Sequence, residues 1–292
     1  MKSTVKVLLT VILVASGAAQ NESTPKALIP LLVTDSHNRP VSGLTPASLV
    51  LRDHKSPVTD FRLLSAADLP LELGVLIDAS ASQRDTPLPD ALKAATEFVN
   101  SVLRPGNDRA FFLTFADAPE ATRWLKKEEL VGVSITLKYG RSTALYDSIA
   151  VACQQRMGPV DRQHPSRRVL LVISDGDDNA SHKPLTGAES EALKSGVVIF
   201  SVATQSSPML GGDRGTRVLA QMSAITGGGS FSGLSRSEMP KVFATLKQLI
   251  EGMYYASYIP PNPNDAIHEV EVKPAAKEKI KVSYPEKYAW MP

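Results

Sequence analysis

The sequence is poor in cysteine, and this excludes two common kinds of site. Its single cysteine, Cys153, allows neither an internal disulfide framework nor a cysteine-rich zinc site. The five histidines are dispersed and form no H-x-x-x-H pair, so a histidine zinc site is not expected either. Because Cys153 ends a largely apolar stretch, we expect it to be a buried small side chain and not a nucleophile.

An excess of one charge and long apolar runs are also lacking. The chain has 32 Lys and Arg against 30 Asp and Glu, a formal net charge of +2, which provides no strongly basic field for nucleic acid. Beyond the first 20 or so residues, no stretch approaches the roughly 20 consecutive apolar residues that a membrane-spanning helix needs. We therefore expect no nucleic-acid partner and no membrane span in the mature protein.

The first 19 residues have the pattern of a secretory signal. Lys2 and Lys6 make the start positive, residues 7–14 are apolar, and residues 16–19 are small. This pattern predicts a signal peptide over residues 1–19 and an exported, bacterial-type mature protein that is periplasmic or secreted. The alternative is that the segment is kept as a membrane anchor, but its apolar run is short for crossing a bilayer.

The rest of the chain divides into three regions. With 43% hydrophobic residues, it has enough apolar content for a sizeable core. Residues 26–66 and 254–292 contain short strands and turns, whereas strands and helices alternate over residues 70–253. The alternation predicts an α/β domain with a doubly wound, mostly parallel, Rossmann-like sheet. Because each end segment is too short to bury a core alone, we expect the two to pack together as one small β domain.

Oxygen-bearing side chains cluster at three places in the α/β region. Asp78, Ser80 and Ser82 follow its first predicted strand, Thr143 precedes a predicted helix, and Asp175 follows a later strand. Because the carboxyl ends of parallel strands meet at one edge of a sheet, we expect these side chains to share one crevice. Carboxylate and hydroxyl oxygens suit a hard cation such as Mg²⁺.

These residues carry a resemblance to a known family. Residues 78–82, Asp-Ala-Ser-Ala-Ser, match the D-x-S-x-S motif of von Willebrand factor A (VWA) domains, and Thr143 and Asp175 follow in that family's order and spacing. Together they resemble a complete metal-ion-dependent adhesion site (MIDAS). The wider chain resembles the VWA-related exported proteins of Acidobacteria, in which a β segment with a V-T-D…R-P-V-x-G-L pattern precedes the A domain. Here residues 33–35 and 39–44 match that pattern.

The resemblance implies both a ligand set and a function. It implies that Ser80, Ser82 and Thr143 bind Mg²⁺ or Mn²⁺ directly, and that Asp78 and Asp175 bind it directly or through water. Hydroxyl ligands are neutral, so they leave the cation with charge to attract a further carboxylate. The predicted function is a non-enzymatic, metal-dependent, adhesion-type module that binds an exposed Asp or Glu of a partner protein.

Other interpretations of the same residues remain open. One is a Mg²⁺-dependent hydrolase or phosphatase with Asp78 as nucleophile, although Ser80 stands where that chemistry would want a second aspartate. Another is a structural subunit with a vestigial metal site. The motif by itself would also fit a helix N-cap made by Ser82.

Charged neighbours of these motifs have simpler expectations. Arg141 is expected at the rim of the site, where it would crowd the opening or help hold a ligand carboxylate. Asp177 and Asp178 are expected in a solvated loop. Asp147 is expected at the start of a helix, where a negative charge is favoured by the helix dipole.

Overall fold

A computed structural model describes residues 24–84, 86–204, 212–231, 237–276 and 279–290. The predicted signal peptide, residues 1–19, lies outside the described residues. Within those ranges, no helix is both long enough and apolar enough to cross a lipid bilayer.

The chain alternates strands and helices in its middle and has strands at both ends. The strands are β1 (Ala27–Asp35), β2 (Leu49–Asp53), β3 (Ser56–Val58), β4 (Arg62–Ser65), β5 (Leu71–Asp78), β6 (Arg109–Phe115), β7 (Pro119–Ala121), β8 (Leu125–Lys126), β9 (Arg167–Ser174), β10 (Val198–Ala203), β11 (Ser230–Phe231), β12 (Tyr254–Tyr258), β13 (Ile267–Pro274), β14 (Ile280–Ser283) and β15 (Lys287–Ala289). The helices are α1 (Leu88–Val102), α2 (Leu145–Val151), α3 (Leu185–Lys194), α4 (Gly212–Ile225) and α5 (Met239–Glu251).

The middle of the chain forms a seven-stranded, mostly parallel sheet. Its order is β11-β10-β9-β5-β6-β7, and β8 also pairs with β6. All pairs from β11 to β6 are parallel, whereas β7 and β8 run antiparallel to β6. Strands β5 and β9 are neighbours in register, with Ile77 opposite Ile173. Their carboxyl ends therefore lie side by side.

Helices cover both faces of this sheet, as the sequence of β9 requires. Every residue of β9 is buried, and successive residues face opposite sides: Val169 and Leu171 pack with α1 and α5, whereas Leu170 and Val172 pack with α2, α3 and α4. A nearly continuous apolar strand is stable only when both faces are covered.

The two ends of the chain pair with each other in two antiparallel sheets. One has the order β14-β1-β12-β4 and the other β15-β13-β2-β3. Alternate side chains of β1, β2, β12 and β13 share one hydrophobic core between the sheets, while Leu32 on the opposite face of β1 packs with the α/β core. The predicted fold class, an α/β unit with a small β domain built from both ends, is confirmed.

Cys153 is fully buried among apolar side chains next to α2. Burial raises the pKa of its thiol to about 12, so the nucleophilic thiolate is scarce at neutral pH. The structure agrees with the expectation of a small packing residue.

Candidate metal centre

Asp78 lies at the carboxyl end of β5 and ties the first loop of the site, residues 79–84, to the neighbouring strand. Its Oδ1 accepts a hydrogen bond from the backbone N–H of Ser80 at 2.9 Å, and its Oδ2 accepts one from the Ser174 hydroxyl at 2.6 Å. Ser174 is the last residue of β9. The Asp78 side chain is fully buried. It therefore holds the start of the loop in place and joins the ends of two strands.

The two serines of the motif lie next to the second carboxylate. The hydroxyl oxygens of Ser80 and Ser82 are 3.1 Å apart, and the Ser82 hydroxyl donates to Oδ2 of Asp175 at 2.6 Å. The Gln83 side-chain amide donates to the same carboxylate oxygen at 2.9 Å. Ser80 and Asp175 are buried whereas Ser82 is exposed, so this group of oxygens reaches the surface at Ser82.

Thr143 lies in the second loop of the site, residues 139–144, which is hydrogen-bonded both to the first loop and to the third loop, residues 175–184. Its N–H donates to the side-chain oxygen of Asn179 at 2.8 Å, and its carbonyl accepts the N–H groups of Asn179 and Ala180. Earlier in the same loop, the N–H of Gly140 donates to the carbonyl of Ala79 at 3.0 Å. The structure thus joins, at one sheet edge, the three segments that hold all five predicted site residues.

A carboxylate that sequence analysis did not single out shapes this second loop. Asp117 lies just after β6 and accepts hydrogen bonds from the N–H groups of Arg141 and Ser142 and from the Ser142 hydroxyl. These donors, the Ser142 hydroxyl first, lower the pKa of Asp117. A Cβ on Gly140 would lie 2.5 Å from the Cβ of Ala116, so the loop packs closely against this strand end. One feature of the sequence pointed to Asp117 as a residue of this edge: like Asp78, it follows a predicted strand.

Two acidic neighbours, Asp147 in the first turn of α2 and Asp178 in the third loop, connect that loop to the helix. Asp147 accepts the N–H groups of His182 and Lys183, and these bonds keep its pKa low although burial alone would raise it. Asp178 accepts the N–H of Tyr146 at 2.9 Å. Asp178 lies in the third loop, in agreement with its expectation, but it is half-buried and joins this loop to α2. Asp177 is exposed, in agreement with its expectation.

Gly176, directly after Asp175, has a backbone conformation that favours glycine. Its φ is +84°, and a Cβ there would lie 2.2 Å from the carbonyl oxygen of Gly215 in α4. Both the positive φ and the close approach exclude a larger residue without movement of the backbone. Glycine at this position lets the third loop pass close to α4.

The electrostatics of the edge favour a bound cation. Burial raises the pKa of Asp78 to about 6, and the negative charge of Asp175 adds to this effect, while hydrogen bonds from Ser174 and Ser80 oppose it. Burial and the charge of Asp175 also raise the pKa of Asp177. Raised carboxylate pKa values mean that negative charge is poorly compensated by the surrounding protein. With oxygen as the only donor type among the five residues, the set fits a hard divalent cation such as Mg²⁺ or Mn²⁺.

Comparison with known proteins yields structural neighbours only. No protein-family model matches the chain, and no curated protein matches it. BatB from Bacteroides thetaiotaomicron, solved as a conserved hypothetical protein, has 16% identity and a TM-score of 0.44, and the match covers 61% of this chain and 98% of that one. Proximal thread matrix protein 1 from the mussel byssus, solved with zinc in its MIDAS motif, has 19% identity and a TM-score of 0.49 over 67% of this chain and 49% of that one.

A third neighbour is the von Willebrand factor type A protein from Catenulispora acidiphila. It has 12% identity and a TM-score of 0.49, and the match covers 92% of this chain and 75% of that one. VWA proteins are among the structural neighbours of this chain. At these levels of similarity, the assignment of individual residues rests on the contacts of this chain itself.

Proposed function

We propose that the protein is a metal-dependent protein-binding module of the adhesion type. Asp78, Ser80, Ser82, Thr143 and Asp175 would hold one Mg²⁺ or Mn²⁺. The bound cation would supply positive charge at the surface for a carboxylate of a partner protein. We further propose that the module is exported after removal of residues 1–19 and acts in the periplasm or outside the cell.

One observation carries the proposal: oxygens from separate loops lie within hydrogen-bonding distance at one sheet edge. The Ser80 and Ser82 hydroxyls and the Asp175 carboxylate form a continuous set with contacts of 3.1 and 2.6 Å. The buried Asp78 side chain holds this set in place by accepting a hydrogen bond from the Ser80 N–H. Oxygens so close together need little rearrangement to share one ion.

The surface around Ser82 supports an acidic partner. Arg84 and Arg141 are exposed beside the first and second loops, and the Arg84 guanidinium lies 5.8 Å from the centre of the Tyr139 ring. Cationic side chains around an opening attract a carboxylate and speed its approach. Arg141 donates its backbone N–H to Asp117, and its side chain is exposed.

The contacts of Asp78 argue against the alternative of a hydrolase with Asp78 as nucleophile. Both of its carboxylate oxygens accept hydrogen bonds, and the side chain is fully buried. A nucleophile must reach the reacting atom of its substrate. Asp78 in this position serves better as an anchor for the loop.

Ser82→Ala tests the metal site with little risk to the fold, because the Ser82 side chain is exposed. We expect Mn²⁺ affinity, measured by calorimetry, to fall at least about tenfold, because that is already the typical loss when a group that only orients a metal ligand is removed. Ser36→Ala, in an exposed turn after β1, is the matched control and should bind Mn²⁺ like the wild type. Equal affinity in both variants would refute the assignment.

Partner binding needs a separate test. A pull-down from the native cell envelope should recover a partner with the wild-type protein, and both EDTA and Thr143→Ala should abolish its capture. If capture survives both treatments, recognition uses another surface, such as the small β domain.

A further inference from the structure

A second group of candidate ligands lies in the small β domain, on strands that do not belong to the parallel sheet. Asp53 ends β2, His54 begins the turn into β3, and His268 is the second residue of β13. Strands β2 and β13 pair antiparallel, with Asp53 opposite Val270, and the N–H of His54 donates to the carbonyl of Glu269. The fold thus brings His268 next to Asp53 and His54, which lie more than two hundred positions earlier in the chain.

Asp53 and His268 form a buried pair inside the core between the two small sheets. Both side chains are fully buried, and Nδ1 of His268 lies 2.8 Å from Oδ1 of Asp53. The other oxygen of Asp53 accepts the hydroxyls of Tyr258 and Tyr288, each at 2.9 Å. Because Asp53 accepts at every one of these contacts, it favours the tautomer of His268 that carries its proton on Nδ1.

That tautomer leaves the second nitrogen of His268 as an unused lone pair. Nε2 of His268 is buried and has no hydrogen-bond partner in the described part of the chain. A buried polar atom without a partner is uncommon in folded proteins and calls for an explanation. A carboxylate on one imidazole nitrogen and a metal on the other is the usual arrangement of a metal-binding histidine.

His54 supplies a second imidazole on the solvent side of this pair. Its ring centre is 5.0 Å from that of His268, and one nitrogen of each imidazole and one oxygen of Asp53 lie within 4.8 Å of one another. The His54 side chain is 30% exposed, and its Nε2 is 3.6 Å from a carboxylate oxygen of Asp265. The group therefore contacts solvent at His54, with another carboxylate nearby.

We propose that Nε2 of His268 and an imidazole nitrogen of His54 bind a borderline divalent metal of the Zn²⁺ type, and that Asp53 orients the His268 imidazole by accepting its Nδ1–H. Nitrogen donors exclude Mg²⁺ as the preferred ion, so this site differs in chemistry from the all-oxygen edge of the parallel sheet. Ligands of a tetrahedral zinc ion are about 3.3 Å apart. At the present spacing the ligand atoms are too far apart to share one ion, so His54, the most exposed of the three side chains, must move when the metal binds.

Such a metal would join the N-terminal and C-terminal segments of the protein. It would connect the β2–β3 turn to β13 across a long stretch of chain, where a cross-link restricts the unfolded state most. With a single cysteine, the protein has no internal disulfide to serve this purpose.

The test is a Zn²⁺ titration of the full-length protein by calorimetry, in excess Mg²⁺ to occupy the sheet-edge site. His54→Asn is the decisive variant, because asparagine tolerates the φ of +47° at this position, whereas replacing the fully buried His268 risks unfolding. We expect His54→Asn to weaken Zn²⁺ binding at least tenfold. His164→Asn, which alters an exposed histidine paired with Asp161, should bind Zn²⁺ like the wild type.

Nuclear magnetic resonance provides a second readout that a purely structural role would not move. Zn²⁺ should shift the imidazole resonances of His54 and His268 and leave those of His164 unchanged. The proposal is overturned if His54→Asn binds Zn²⁺ as tightly as the wild type, or if the His268 resonances do not respond to Zn²⁺. It is also overturned if the Zn²⁺ that binds is lost in Ser82→Ala and retained in His54→Asn.

Discussion

Asp78 has a structural role that is separable from its charge, and a pair of substitutions distinguishes the two. Asp78→Ala leaves two buried donors, the Ser80 N–H and the Ser174 hydroxyl, without an acceptor. Each unsatisfied buried group costs about 1–3 kcal/mol, so together they should lower the free energy of unfolding by ~2–6 kcal/mol. Asp78→Asn removes the charge, but its side-chain oxygen still accepts from Ser80 and its amide donates to the Ser174 oxygen.

The assay is urea denaturation of both variants in EDTA, followed by Mn²⁺ calorimetry. In EDTA, the free energy of unfolding of Asp78→Asn should lie only about 1–3 kcal/mol below that of the wild type, because the Ser80 bond is kept and only the Ser174 hydroxyl proton loses its acceptor. Asp78→Ala should unfold at much lower urea. With metal present, both variants should lose Mn²⁺ affinity, because each lacks the negative charge that favours the cation.

The reasoning fails if the two variants are equally stable in EDTA, since the hydrogen bonds of Asp78 would then contribute nothing. It also fails if Asp78→Asn binds Mn²⁺ as tightly as the wild type. In that case the Asp78 charge would play no part in the site.

Two further predictions concern a glycine and a buried carboxylate. Gly176→Ala should lower the free energy of unfolding by more than the ~1–2 kcal/mol of a left-handed backbone, because the added Cβ would also collide with the Gly215 backbone. Gly132→Ala is the matched control, since Gly132 has a φ of +85° and open space around it. Equal losses of stability in urea denaturation would contradict the prediction. Burial alone would raise the pKa of Asp108, but hydrogen bonds from Arg104 and from the Leu71 N–H lower it. The stabilisation by ionised Asp108 is complete above its unfolded pKa of about 3.9 and is lost as the pH falls through its lower pKa in the folded protein. Asp108→Asn should therefore flatten the decline of the urea midpoint below pH 4. An unchanged decline would show that other groups cause it.

Much of the architecture was predictable because it depends on periodicity along the chain. The uninterrupted apolar run of β9 indicated a strand covered on both faces, and Leu88, Ala91, Ala95 and Val99 of α1 recur at helical spacing on its buried side. Alternation of such strands and helices predicts a parallel sheet, because a parallel connection needs a crossover. These patterns are local and therefore visible in the sequence.

The partners of individual side chains were not predictable in the same way. The D-x-S-x-S motif pointed to Ser80 and Ser82, but nothing in the sequence indicated that Gln83 donates to Asp175 or that Asp117 holds the Ser142 loop. These contacts join residues from different loops, and their geometry depends on strand order and register. A pattern along one segment contains no information about which other segment lies beside it.

The histidines illustrate this division most clearly. By sequence, His54 and His268 are isolated, and their spacing argues against a shared metal. Pairing of β2 with β13 places them with ring centres 5.0 Å apart, next to Asp53. The sequence by itself determined the elements, their buried faces and the oxygen-rich loop motif, because these depend on local chemistry. Only the tertiary structure decided which distant side chains meet, because that depends on how the two ends of the chain pair in space.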